Sequence, residues 1–434
     1  MEKIAIHWFR RDLRLEDNAA LYHALKSGLP VLGLFIFDRH ILDKLQDKTD
    51  RRVNFIYQEV KRLKAELEKL GSTLLVKYGF PEEVWPQLTE ELPISQVFAN
   101  RDYEPYAQKR DKQIYDILQS KGIKFTGAKD HVIFEKNEVL KDNGQPYTVY
   151  TPYSRKWKEK LNDFYLKSYP TQAYFSNFYK SNPKPIPTLE EMGFVTTSYE
   201  YPSREIPMGI LQNYHLKRDF PATQGTSRLS VHLRFGTISI RTLARLAAST
   251  NEKYLNELIW RDFYQMILYH FPYIPDKAFK PEYDRIQWEN NEDHFKAWCE
   301  GRTGYPIVDA GMRELNATGF MHNRVRMIVS SFLTKHLLID WRWGEQYFAA
   351  KLLDYEMASN VGGWQWAAGS GNDAAPYFRI FNPALQTEKF DKHLDYVKKW
   401  VPELNTSAYP KPIVDHTFAR NRAIERYKKA LEQK

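Results

Sequence analysis

The sequence predicts an α/β protein: an N-terminal parallel-sheet, Rossmann-like domain linked to a large all-helical domain. Three observations carry this. Positions 1–130 alternate short Val-, Ile- and Phe-rich runs with amphipathic helical segments. A Pro-, Ser- and Tyr-rich passage, including "SNPKPIPT", then interrupts the pattern, and beyond Thr226 the apolar residues fall almost wholly at helical spacing. Strands that alternate with helices of this length form βαβ units and hence a parallel sheet.

The strand-length runs are "IAIHWF", "VLGLFIF", "TLLVKYG", "SQVFAN" and "IKFTG". Continuous apolar runs suit strands buried on both faces. The clearest helix spans 49–70, where Val53, Ile56, Val60, Leu63, Leu67 and Leu70 recur every three or four residues as one stripe. Asp50 is its expected N-cap and Gly71 its stop. No GxGxxG follows the first strand, so a dinucleotide fingerprint is absent. The expected organisation is an α/β domain over 1–130, a connection over 131–207, and a helical domain over 208–434.

The 434 residues carry 63 Lys and Arg against 54 Asp and Glu, a surplus that suits a polyanionic partner without choosing between nucleic acid and membrane surface. One cysteine, Cys299, excludes an internal disulfide framework and a Cys-rich metal site. No HExxH or paired His–carboxylate spacing supports a metal, so none is expected. The longest apolar run, "VLGLFIF", is far shorter than the roughly 18 residues of a membrane helix. "MEKIAIHWFRRDLRL" lacks a signal peptide's apolar segment and cleavage site. A soluble cytoplasmic protein without membrane contact is expected.

Three stretches concentrate chemistry. In "NEKYLNELIWRDFYQMILYHFP", Glu257, Trp260, Arg261 and Tyr264 share one helix face. That face suits either solvent or a planar heterocycle. In "GTSRLSVHLRFGTIS", Gly, Thr and Ser ahead of a helical stretch supply N–H groups and hydroxyls for a phosphate, or simply an N-cap. In "GFMHNRVRMIVSSFL", Asn323, Arg324 and Met327 are placed to line a cavity, and Arg326 would find a partner in Asp354.

The motifs "TGYPIVDAGMRELNATGFMHNRVRM", "DWRWGEQYF" and "DYEMASNVGGWQWAAGSGNDAAPYFRIFNP" resemble the flavin-binding domain of the DNA photolyase/cryptochrome family. "HWFRRDLRLEDNAAL" resembles that family's N-terminal domain. The likeness covers nearly the whole chain and points to the bacterial class I cyclobutane pyrimidine dimer photolyases. It implies an FAD cofactor and light-dependent repair of cyclobutane pyrimidine dimers in DNA, by electron transfer from excited FADH⁻ to a flipped-out dimer. The alternative within the family is a cryptochrome-type blue-light photoreceptor. Against it stand the short stretch after Trp400 and an intact candidate lesion clamp.

Matched residue by residue, the resemblance places Tyr214, the loop Thr226, Ser227, Arg228, Leu229 and Ser230, and Tyr254 at the phosphates and adenosine. It places Arg261, Asn323, Arg326, Asp354, Tyr355, Glu356 and Asn360 at the flavin. Asn360 is an amide where plant cryptochromes carry an acid, which favours a reduced anionic ring. Glu356 stands where the family carries Asp, one methylene shorter. Trp364, Trp341 and Trp288 match the proximal, middle and surface members of the electron-transfer chain. Glu257, Trp260 and Trp366 match the lesion pocket, and Arg218, Asn323, Arg324, Met327, Arg379 and Gln386 match DNA-contacting positions. A (6-4) lesion enzyme would carry histidine in place of Asn323 and Met327, since an amide and a thioether cannot protonate the lesion. Tyr106 and Ala107 stand where folate-binding relatives carry Asn and Glu, so the identity of any second, antenna chromophore stays open. The expected partner is UV-damaged DNA, met by a monomer that needs no protein partner.

Overall fold

A computed structural model describes residues 2–432. Five strands form one sheet: β1 (Ile4–Phe9), β2 (Val31–Asp38), β3 (Leu74–Gly79), β4 (Ile94–Asn100) and β5 (Lys124–Ala128). Their order is β3-β2-β1-β4-β5 and every pairing is parallel, with Trp8 opposite Leu34 and His7 opposite Phe98. β1 and β2 are buried along their whole length, which is why they read as unbroken apolar runs. The order reverses between β1 and β4, the point where open sheets of this kind leave a crevice at their carboxyl ends.

Helix α1 (Arg51–Lys69) begins where the Asp50 carboxylate accepts the Arg52 N–H at 2.8 Å. It ends at Gly71, whose φ of +74° is the left-handed conformation glycine adopts freely. Val53, Phe55, Val60, Leu63 and Leu67 form its buried stripe.

The chain divides into two compact units that interleave in sequence. One comprises residues 1–135, 160–206 and 228–246, the other 136–159, 207–227 and 247–434. This differs from three consecutive segments, and the reason lies in the Pro-rich passage. Its backbone is tied to the sheet unit: Tyr179 N–H donates to Val31 O at 2.8 Å, Val195 N–H to Lys48 O at 2.8 Å, and Asn54 Nδ2 to Val195 O at 3.1 Å.

The second unit is built from helices, of which five line the site: α2 (Tyr150–Lys160), α3 (Glu252–His270), α4 (Asn323–Ser331), α5 (Trp341–Lys351) and α6 (Met357–Ala368). Their starts follow from local chemistry. Asn251 Oδ1 accepts from Lys253 and Tyr254 N–H, His322 Nδ1 from Arg324 N–H, and Asp340 Oδ1 from Arg342 N–H. Helix α4 runs into a π-helical turn, Phe332–His336. Glycines set how closely α6 approaches its neighbours. A Cβ on Gly344 of α5 would lie 2.1 Å from the Trp364 ring, and one on Gly362 would lie 2.3 Å from the Tyr264 ring. Among the described residues, no helix is long and apolar enough to cross a membrane.

Candidate active site

Within the helical unit lies a cavity of 520 Å³, in the range of sites that hold an organic cofactor or ligand. Helix α3 contributes Glu257, Trp260 and Tyr264 from the face that also carries Arg261. Helix α4 contributes Asn323, Arg326 and Met327, the turn before α6 contributes Asp354, Tyr355 and Glu356, and α6 contributes Asn360, Trp364 and Trp366. The i, i+3, i+7 spacing on α3 is therefore a cavity wall rather than a solvated stripe.

Arginines and acids around the cavity are paired with one another. Arg326 Nη2 spans both oxygens of Asp354 at 3.1 and 3.0 Å, while its Nε donates to Met321 O at 2.7 Å. Arg261 Nη2 donates to Glu356 Oε1 at 3.0 Å and Ser359 Oγ to Glu356 Oε2 at 3.1 Å. The longer side chain at 356 thus reaches across to α3. Asn360 Nδ2 donates to the Glu345 backbone carbonyl at 3.1 Å and to its carboxylate at 2.9 Å, with the Tyr355 hydroxyl at 3.3 Å. Burial raises the Glu345 carboxyl above its ordinary pKa, and the bonds from Asn360 and Tyr355 oppose that rise. Burial also raises Glu257, although the Arg218 guanidinium is hydrogen-bonded to it and pulls the other way. Arg324, expected in the cavity wall, is not among the lining residues: it donates to Asp219 at 2.7 Å and lies 4.4 Å over the Phe390 ring.

The donor set fits a planar, polar-edged ring system. Two lining residues hold buried polar atoms with no protein partner: Asn256 Oδ1 and Trp364 Nε1. Both atoms are sealed off from the open space of the cavity, so neither addresses a bound ring as it stands. Asn360, with its amide nitrogen committed to Glu345, keeps its carbonyl oxygen available as an acceptor. Among the described residues, no cluster of His, Cys, Asp and Glu has metal-binding geometry.

Other expected residues sit outside the cavity lining. Tyr214 packs edge-on against Tyr254 at 5.0 Å, and Tyr254 shares a hydrogen bond with Ser227 at 2.8 Å. Thr226 and Ser227 belong to this unit, whereas Arg228, Leu229 and Ser230 belong to the sheet unit. The short helix from Ser230 has no side-chain cap on its first turn, so the simple N-cap explanation of this loop is not what the chain does. Arg379 is exposed and Gln386 half-buried, and neither lines the cavity.

Of the three tryptophans expected to pass electrons, Trp364 lines the cavity and Trp341 is buried on α5. Trp288 is half-buried and edge-on to Tyr427 at 6.0 Å. The rings in contact with Trp364 are Phe348 at 5.0 Å and Trp298 at 6.0 Å. Sequence reasoning passed over Glu345, Ser359, Trp298 and Tyr150, the last of which lines the cavity from α2. Glu345 sits within the quoted "DWRWGEQYF", four residues after Trp341, and that spacing was the one available signal.

Comparison with known proteins gives a consistent result. Residues 254–407 match the family model for the FAD binding domain of DNA photolyase, and residues 5–173 match the DNA photolyase model. The deoxyribodipyrimidine photo-lyase of Synechococcus sp. is 37% identical over 95% of this chain and 94% of its own. That of Escherichia coli is 37% identical over 98% and 99%. Among solved structures, a bacterial class III photolyase from Agrobacterium tumefaciens superposes with a TM-score of 0.88 at 34% identity, covering 99% of this chain and 98% of that one. A cryptochrome from Synechocystis superposes with a TM-score of 0.82 at 26% identity, over 98% and 99%.

Proposed function

The chain belongs to the DNA photolyase/cryptochrome family and is a light-dependent DNA repair enzyme with an FAD cofactor; from that premise we propose how its own residues do the work. The single observation that carries this reading is the cavity of the helical unit. It brings Arg326–Asp354, Glu356, Asn360 and Trp364 into one wall system with Glu257, Trp260 and Trp366. FAD, when bound and fully reduced, supplies the electron that light drives onto a cyclobutane pyrimidine dimer.

The protein's part is binding, orientation and exclusion of water. Arg326 with Asp354 and Arg261 with Glu356 form neutral pairs whose remaining lone pairs and N–H groups address the polar edge of the cofactor. The Asn360 carbonyl, positioned by Glu345, accepts from a ring N–H and places no negative charge beside a reduced ring. Tyr254 and Ser227 serve the adenosine and phosphate end, together with Tyr214 and Thr226 of the same unit.

Enzymes that act on a stacked base take it out of the duplex. Trp260 and Trp366 supply aromatic walls for the extruded dimer. Glu257, hydrogen-bonded to the Arg218 guanidinium, presents carboxylate oxygens that accept from the N–H of a pyrimidine edge. Arg218, Arg324 and Arg379 meet backbone phosphates with Gln386 beside them, and Asn323 and Met327 face the lesion. Arg218 is hydrogen-bonded to Glu257 and Arg324 to Asp219, and each guanidinium keeps further N–H groups that can meet a phosphate. Trp288, Trp341 and Trp364 would pass electrons inward, in that order, from a reductant in solution to the cofactor.

The class III structural match sets the assignment at the level of the family, and the class I type is our proposal within it. A purely signalling cryptochrome has less support, its structural relative sharing 26% identity against 34–37% for the photolyases. We place the enzyme in the cytoplasm as a monomer. Purified protein should carry stoichiometric FAD and, in the dark, bind a dimer-containing oligonucleotide in preference to the undamaged sequence. A colourless protein that cannot retain added flavin contradicts the reading.

A further inference from the structure

The aromatic wall at Trp260 has a second layer. Tyr150, the first residue of α2, lies flat on the Trp260 ring, with centroids 3.7 Å apart and planes 3° from parallel. A centroid distance this close to the stacking separation leaves almost no lateral offset. Aromatic pairs left to themselves prefer offset or edge-to-face arrangements, so something else holds this one. Tyr150 is tethered at both ends: its N–H donates to Asp373 Oδ2 at 2.9 Å and its hydroxyl to the Asn256 carbonyl at 3.0 Å. Phe263 closes on its edge at 5.8 Å. Tyr150 and Trp260 both line the cavity. One face of the indole is therefore covered by a fixed ring, and a ligand must use its edge or its other face; the Tyr264 ring lies 5.5 Å from it, tilted by 32°.

We propose that Tyr150 is a positioning residue for lesion recognition: it holds the Trp260 indole in the one plane that receives the damaged pyrimidine. This rests on the reading of the cavity as a dimer pocket. A half-buried indole without a backing ring has room to rotate, and ordering it again on binding costs affinity for the ligand it stacks on. DNA contacts made by cations elsewhere do not depend on that plane, so the effect is confined to the damaged site.

The test uses full-length, flavin-bound protein, an oligonucleotide with a single thymine cyclobutane dimer, and the same sequence undamaged. Tyr150→Leu should weaken dimer binding by about five- to tenfold, within the range for one ordered side chain. It should leave undamaged DNA binding unchanged, and the rate at saturating dimer under illumination should stay within about twofold of wild type. Tyr150→Phe, which keeps the ring and the N–H tether but loses the hydroxyl tether, should bind the dimer more tightly than Tyr150→Leu and less tightly than wild type. Tyr150→Met carries the same test if the leucine variant fails to retain flavin. Equal binding of dimer by wild type and Tyr150→Leu overturns the proposal. Equal loss for both oligonucleotides, or a phenylalanine variant as weak as leucine, overturns it too. Failure of the underlying dimer reading would show separately, as a wild-type protein that does not distinguish the two oligonucleotides.

Discussion

Gly362 and Gly363 are neighbours on α6, and alanine at each should give opposite results. A Cβ at Gly362 would lie 2.3 Å from both Cδ1 and Cε1 of Tyr264, whereas one at Gly363 meets nothing within 4 Å. Both substitutions gain the same intrinsic helix preference, about 1 kcal/mol for alanine over glycine. That term cancels in the comparison and leaves packing alone. Ordinary contact needs at least 3.4 Å, so the Tyr264 ring or the α3 backbone must retreat by about an ångström, a forced shift that costs about 1–3 kcal/mol in a packed interior. Gly363→Ala should therefore be as stable as wild type or slightly more so. Gly362→Ala should fall below Gly363→Ala by about 1–3 kcal/mol, read as the shift in urea midpoint at unchanged slope. Because Tyr264 lines the cavity, Gly362→Ala should also release flavin faster. Equal midpoints for the two variants would refute the close α3–α6 approach on which the site depends.

His322 caps α4 through a neutral ring nitrogen, and burial lowers its pKa from 6.5 to about 4. A depressed folded pKa stabilises the fold above pH 6.5, and that contribution, on the order of 3 kcal/mol, is lost as pH falls from about 6.5 to 4. His322→Asn keeps a cap and removes the titration, so its stability should decline less over that window; a curve parallel to wild type contradicts this. Asp354→Asn removes the charge facing Arg326, whose side chain is 27% exposed against 9% for Asp354. It should cost about 1–2 kcal/mol, less than a fully buried pair, and speed flavin release measured by fluorescence; unchanged release would argue against a cofactor at this pair. Trp288→Phe should slow photoreduction of oxidised FAD while leaving repair by pre-reduced protein intact, and loss of repair in that second assay would contradict its place in the electron chain.

The centre of the sheet was legible in the sequence because β1 and β2 are buried on both faces: "IAIHWF" corresponds to β1 residue for residue. The pairing of Arg326 with Asp354 was legible too, since a cation amid apolar helix calls for a partner. The interleaving of the units was not. Residues 150–160 fell inside the expected connection, and sequence pattern does not tell which core the buried face of that helix joins. The same blindness hid Tyr150, which reaches Trp260 across a long sequence separation. Glu345 escaped notice because a carboxylate on a helix ordinarily faces solvent, whereas here Asn360 and Tyr355 give it buried partners. At Glu356 the sequence showed only an extra methylene, and the structure shows what that reach is used for: Arg261 on the neighbouring helix.

The account stands or falls on what light does to a lesion held beside this cavity. Reduced, flavin-loaded protein should be mixed with an oligonucleotide carrying one cyclobutane dimer and followed by loss of the dimer with and without blue light. Restoration of intact thymines under illumination and none in darkness is the predicted result. Protein that retains its flavin and binds the dimer, yet leaves it unchanged after illumination, would contradict the assignment.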